Sequence, residues 1–78
     1  MRPIYIIALE IYEDWKKPWF GAVPYLQAML DLKSSEDNYG HDSGKSIVAY
    51  FLSNAATWRG ENARRIKKEL NSILKASR

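Results

Sequence analysis

Cysteine is missing from the chain altogether. No disulfide can staple it and no zinc ribbon or thiol nucleophile can be built from it, and the expected setting is a reducing one, the cytoplasm. A long apolar run is missing too. Residues 1–9 carry one Arg and then turn apolar, but Glu10, Glu13 and Asp14 interrupt the run before any small-residue cleavage site. We therefore expect neither a signal peptide nor a membrane span. Alternating apolar and polar residues, the mark of a half-buried strand, are absent, as are internal repeats and low-complexity segments.

What is present is ordinary globular material. Hydrophobic residues make up 46% of the 78 and charged residues 27%, a mix that folds rather than staying disordered. The length allows one domain, residues 1–78, with an economical core. Its three Trp, five Tyr and two Phe supply large buried areas where disulfides cannot help. The net charge of +3 is unevenly placed: residues 1–58 hold five Lys/Arg against seven Asp/Glu, and residues 59–78 hold seven against two.

Helical periodicity predicts an all-α fold, a compact bundle of four short helices over roughly 3–17, 23–33, 44–58 and 61–76. Pro3 suits a first helical position. Ile4, Ile7, Ala8, Ile11 and Trp15 then line one face, with Glu10, Glu13, Asp14 and Lys17 on the other, until Pro18. Tyr25, Leu26, Ala28, Met29, Leu30 and Leu32 point nearly all round a second helix opened by Pro24, which belongs in the middle of the bundle. Residues 34–43 (SSEDNYGHDS) are dense in turn formers and read as one long loop, whose Asp42 or Ser43 caps the third helix. That helix carries the largest stripe, Ile47, Phe51, Ala55 and Trp58, flanked by Val48, Tyr50 and Leu52. Arg59-Gly60 reads as a tight corner, with Gly60 in the left-handed region. Ala63, Ile66, Leu70, Ile73 and Leu74 line the last helix.

Three strings resemble catalytic or binding motifs and fail on spacing. Gly40-His-Asp-Ser-Gly44-Lys45-Ser46 has one residue too few between its glycines for a phosphate-cradling loop, and no strand precedes it. Glu36, Asp37, His41 and Asp42 match no calcium loop in any register. His41, Asp42, Ser43 and Ser46 are triad residue types, but neighbours in a loop diverge, whereas a triad converges in space. We expect no catalytic residues, no cofactor and no metal, hence no enzyme.

Two features remain for binding. Asn54 falls between Ile47 and Tyr50, inside the apolar stripe, where a buried amide must find partners or cost about 1–3 kcal/mol. It either ties down a helix end or marks a face open to a partner. On the last helix, counting Ala63 as 0°, Lys67, Arg64, Lys75 and Lys68 fall at about 40, 100, 120 and 140°, with Arg78 near 60°. This basic stripe suits phosphates, an acidic protein or a membrane surface, and equally suits a solubilising face near a helix C-terminus. Helix 44–58, the corner and the last helix also have the outline of a helix-turn-helix, with Glu61, Asn62, Arg64 and Arg65 as base readers, although the corner is short for that motif. The expected function is a non-catalytic module that binds a protein partner; the alternative is nucleic-acid binding through the basic helix.

The run NYGHDSGKSIVAYFLSNAATWRGENARRIKKELNSIL, residues 38–74, and WKKPWFGAVPYLQAM, residues 15–29, resemble small uncharacterised proteins of bacterial prophages and related mobile elements. The resemblance implies a bacterial intracellular setting and assigns no activity and no functional residue.

Overall fold

The computed structural model describes residues 2–76. Its elements are α1 (Ile4–Asp14), α2 (Val23–Met29), β1 (Asn38–Tyr39), β2 (Asp42–Ser43), α3 (Gly44–Ser53) and α4 (Glu61–Ala76). The fold is thus mostly helical, and the expectation of a purely all-α bundle is corrected by the hairpin. No helix among the described residues is long and apolar enough to cross a membrane.

The helix ends differ from the periodicity reading, each for a local reason. Periodicity carries the first helix to residue 17, but α1 stops at Asp14. In a continuing helix the Pro18 ring would strike the carbonyl of residue 14. Trp15 leaves the helix instead, at φ −99° and ψ 87°, and drops into the core. α2 ends at Met29 rather than 33, followed by tight turns in which Asp31 N–H donates to Ala28 C=O (3.0 Å) and Leu32 N–H to Met29 C=O (3.1 Å). These turns bury Leu32 and bring the chain to the start of α1. There Ile4 N–H donates to Lys33 C=O (2.9 Å) and Tyr5 N–H to Leu32 C=O (2.8 Å), satisfying two donors that a helix start leaves unpaired.

The segment read as one long loop holds the hairpin. β1 and β2 pair antiparallel, Asn38 opposite Ser43 and Tyr39 opposite Asp42, around a Gly40-His41 turn with Gly40 at φ +63°. Strands of two residues are too short to show alternation. They are clamped from outside, by Gly44 N–H to Asp37 C=O (2.6 Å), Lys45 N–H to Ser35 C=O (3.0 Å) and Lys33 N–H to Asp37 Oδ2 (2.8 Å). Gly44 is needed here because a Cβ would sit 2.7 Å from Ser34 C=O. Ser43 then caps α3, its Oγ accepting from Ser46 N–H at 3.1 Å.

Helix α3 ends at Ser53 rather than 58, so only Ile47, Val48 and Phe51 of the expected stripe are helical core residues. Ala55 and Trp58 are buried from the connector, residues 54–60, through tight turns such as Trp58 N–H to Ala55 C=O (3.0 Å). Gly60 closes the connector at φ +115°. The core joins Ile4, Ile7, Ala8, Ile11 and Trp15 to Leu26, Met29, Phe51, Trp58, Ala63, Ile66, Leu70 and Ile73, with Leu74 half-buried against it. At its centre Trp15 stacks on Trp58 (5.7 Å, 12°), and Phe51 meets both edge-on at 6.3 Å.

Candidate functional site

Position on α4 decides what each cation of the predicted stripe can do. Arg64, Lys68 and Lys75 are exposed, with no carboxylate partner among the described residues. Lys67 is not part of that open stripe. Its Nζ donates to Trp58 C=O at 2.7 Å and lies 5.8 Å from the Trp58 ring centroid. Burial, and after it the neighbouring Arg59, hold the Lys67 ammonium below the ordinary lysine value. Arg78 lies outside the described residues.

The opposite flank of α4 is occupied. Arg2 bridges Glu69 (2.6 Å) and Glu10 (2.8 Å), and Arg65 pairs with Glu10 as well. Asp14 accepts from Asn62 Nδ2 (2.9 Å) and from Trp58 Nε1 (2.8 Å). Asn62 and Arg65 are thereby spent on α1 and are not free to read bases. The connector of seven residues, 54–60, is also longer than the turn of a helix-turn-helix, so that outline is a correction to the sequence reading.

Asn54 is not enclosed in the core; no polar or charged residue among those described is buried. It is the C-cap of α3, and its Nδ2 donates to Tyr50 C=O at 2.8 Å. It also lines an open groove of about 270 Å³ with Trp19, Ser53, Ala56 and Thr57. Residues 19–22, between the first two helices, belong to no helical stripe, and periodicity does not reveal what they present. Ala22 N–H donates to Trp19 C=O (2.8 Å) and Val23 N–H to Phe20 C=O (3.3 Å), a turn that leaves Trp19 46% and Phe20 74% exposed. Their rings lie 4.2 Å apart. Gly21 makes the arrangement possible, because a Cβ there would meet Trp19 Nε1 at 2.5 Å and Asn54 Oδ1 at 2.9 Å. The signal available in the sequence was position: Trp-Phe between Pro18 and Pro24, outside every helical stripe.

A second groove, of about 320 Å³, lies along the start of α4, lined by Trp58, Arg59, Gly60, Ala63, Arg64 and Lys67. A third, of about 210 Å³, sits between Arg2, Lys33, Glu36 and the end of α4. The exposed side of α1 adds Tyr5, Ile6 and Leu9, a looser apolar stretch. Among the described residues no group of three or more His, Asp or Glu is placed to hold a metal ion. Comparison with protein-family models, with curated proteins and with solved structures produced no match to the chain.

Proposed function

We propose that this protein is a small, non-catalytic interaction module of the bacterial cytoplasm that docks a protein partner through the Trp19–Phe20 ridge and the groove beside it. The carrying observation is the exposure of two adjacent large aromatics, Trp19 at 46% and Phe20 at 74%, while Trp15 and Trp58 are buried. Exposed aromatics beside a groove are what protein interfaces use as anchors: a rigid ring fills a pocket and loses little conformational freedom on binding. The ridge is not required by the core, so its exposure calls for a use. In a pull-down from the native host read by mass spectrometry, with and without nuclease, the wild-type chain should retain a partner that W19A/F20A loses, regardless of nuclease. Retention of the same partners by a folded W19A/F20A would end this reading.

A second reading is favoured by one observation: Arg64, Lys68 and Lys75 stay exposed along one side of α4. If they track phosphates, log affinity for duplex falls with log salt at a slope of about −3, one contact for each of these three exposed cations. We expect no anisotropy change with labelled DNA or RNA at low salt and tens of micromolar protein, because three cations on one short helix make few simultaneous contacts. A steep salt-dependent signal would favour nucleic acid over the protein partner.

A further inference from the structure

We propose that the groove at the start of α4 is a binding site for the phosphate monoester dianion, with Arg59, Arg64 and Lys67 as its ligands. The three are brought together by the fold and not by spacing alone: Arg59 comes from the connector, while Arg64 and Lys67 stand one turn apart on α4. No carboxylate lines the groove. Glu61, the acidic residue of the first turn, falls about 120° around the helix from Lys67 and about 60° from Arg64, and it does not line the groove. The remaining nearby acids, Glu10, Glu69 and Asp14, are engaged by Arg2, Arg65, Asn62 and Trp58 on the far flank. No carboxylate among the groove's lining residues compensates its positive charge.

Its geometry suits a small, doubly charged oxyanion. Guanidinium groups grip phosphate oxygens with two parallel N–H donors, and an ammonium adds a point charge. Lys67 is the prearranged member. One of its three N–H bonds goes to Trp58 C=O, which fixes the ammonium at the groove and leaves the other two to donate. Its charged form is disfavoured by burial and by Arg59, and the attraction of a bound dianion would offset that cost. A volume of about 320 Å³ holds a phosphate with part of its organic substituent. The groove is a single compact site rather than a track, since Lys75 lies about 16 Å further along the helix axis from Arg64.

Isothermal titration of the full chain at low salt, with inorganic phosphate, O-phosphoserine and a single-stranded oligonucleotide lacking any terminal phosphate, tests the proposal. Phosphate and phosphoserine should give saturable heat, and R59Q and R64Q should each weaken it by about fivefold or more, as expected for losing one charge-assisted contact at a part-exposed site. K68Q, outside the groove, should bind as wild type. K67M is read beside its thermal midpoint, because Lys67 also holds Trp58; a variant that melts like wild type should have lost affinity. Three results would overturn the proposal: no saturable heat with either phosphate compound, equal weakening by K68Q, or the oligonucleotide binding as tightly through the same arginines. The last would point to backbone phosphodiesters and to the nucleic-acid reading.

Discussion

Phe51 shows how much of this small core hangs on single side chains. It is fully buried and meets Trp15 and Trp58 edge-on, so Phe51→Ala removes the ring through which α3 packs on both tryptophans. A cost of about 3–5 kcal/mol is expected, a large part of the stability of a domain this size. A thermal melt should show the midpoint falling steeply or the transition lost, and an unchanged midpoint would mean the aromatic cluster is not where it is described. Gly60 is a subtler case. Its φ of +115° lies where L side chains are strained, although a Cβ would meet nothing within 4 Å. Gly60→Ala should therefore cost about 1–2 kcal/mol from the backbone alone in a urea titration. Gly21→Ala works differently, by displacing the Trp19 indole. It should leave stability nearly unchanged and weaken partner capture. At this scale the sequence was legible where the residue's role is burial: Ile4, Ile7, Ile11, Phe51, Trp58, Ile66 and Leu70 are all core. Lys67 was not legible, because its carbonyl partner belongs to a connector whose path depends on where α3 ends.

Between elements, α1 and α4 are joined at their rim by charges. Hydrogen bonds from Arg65 hold the Glu10 carboxyl below its ordinary range, Arg2 does the same for Glu69, and Asn62 with Trp58 does so for Asp14. A carboxylate whose folded value is depressed contributes stability that is present above its unfolded value and lost as pH falls through the folded one. The thermal midpoint should accordingly hold from neutrality to about pH 5 and fall below about pH 4, where ordinary carboxylates protonate. Glu10→Gln should cost about 1 kcal/mol at pH 7, as for a part-exposed ion pair, and the gap to wild type should narrow as pH falls through the depressed range of the Glu10 carboxyl. A gap that does not change with pH across the acid range would show that Glu10 acts by packing and not by charge. Helix existence was readable from the 3.6-residue period, but helix ends were not. Trp15, Asn54 and Leu30 continue the period, yet the chain turns at each because Pro18, the Asn54 amide and the tight turns after Met29 compete with the helical ladder.

For the whole molecule, far-UV circular dichroism should be dominated by helix, with only a trace of strand from four hairpin residues. Substantial strand content would contradict the fold. The hairpin turn and the Gly44-Lys45-Ser46 start of α3 should give no saturable heat with ATP-magnesium or calcium, since Gly44 serves close packing on Ser34 C=O and Ser46 N–H is taken by Ser43. Micromolar binding of either would assign that loop a role its hydrogen bonds leave no room for. Composition and periodicity by themselves determined that this chain is a single, mostly helical domain with no disulfide, and which residues of each helix turn inward, because the hydrophobic effect acts on local spacing whatever the neighbours are. Only the tertiary structure decided which polar and aromatic groups are left over. Arg65 and Asn62 are consumed by α1, Lys67 is drawn against Trp58, Arg59 is brought to the same groove, and Trp19 and Phe20 are left outside. Each of those outcomes depends on a partner distant in sequence or on a turn that no period encodes, and a side chain's availability is set by what stands across from it.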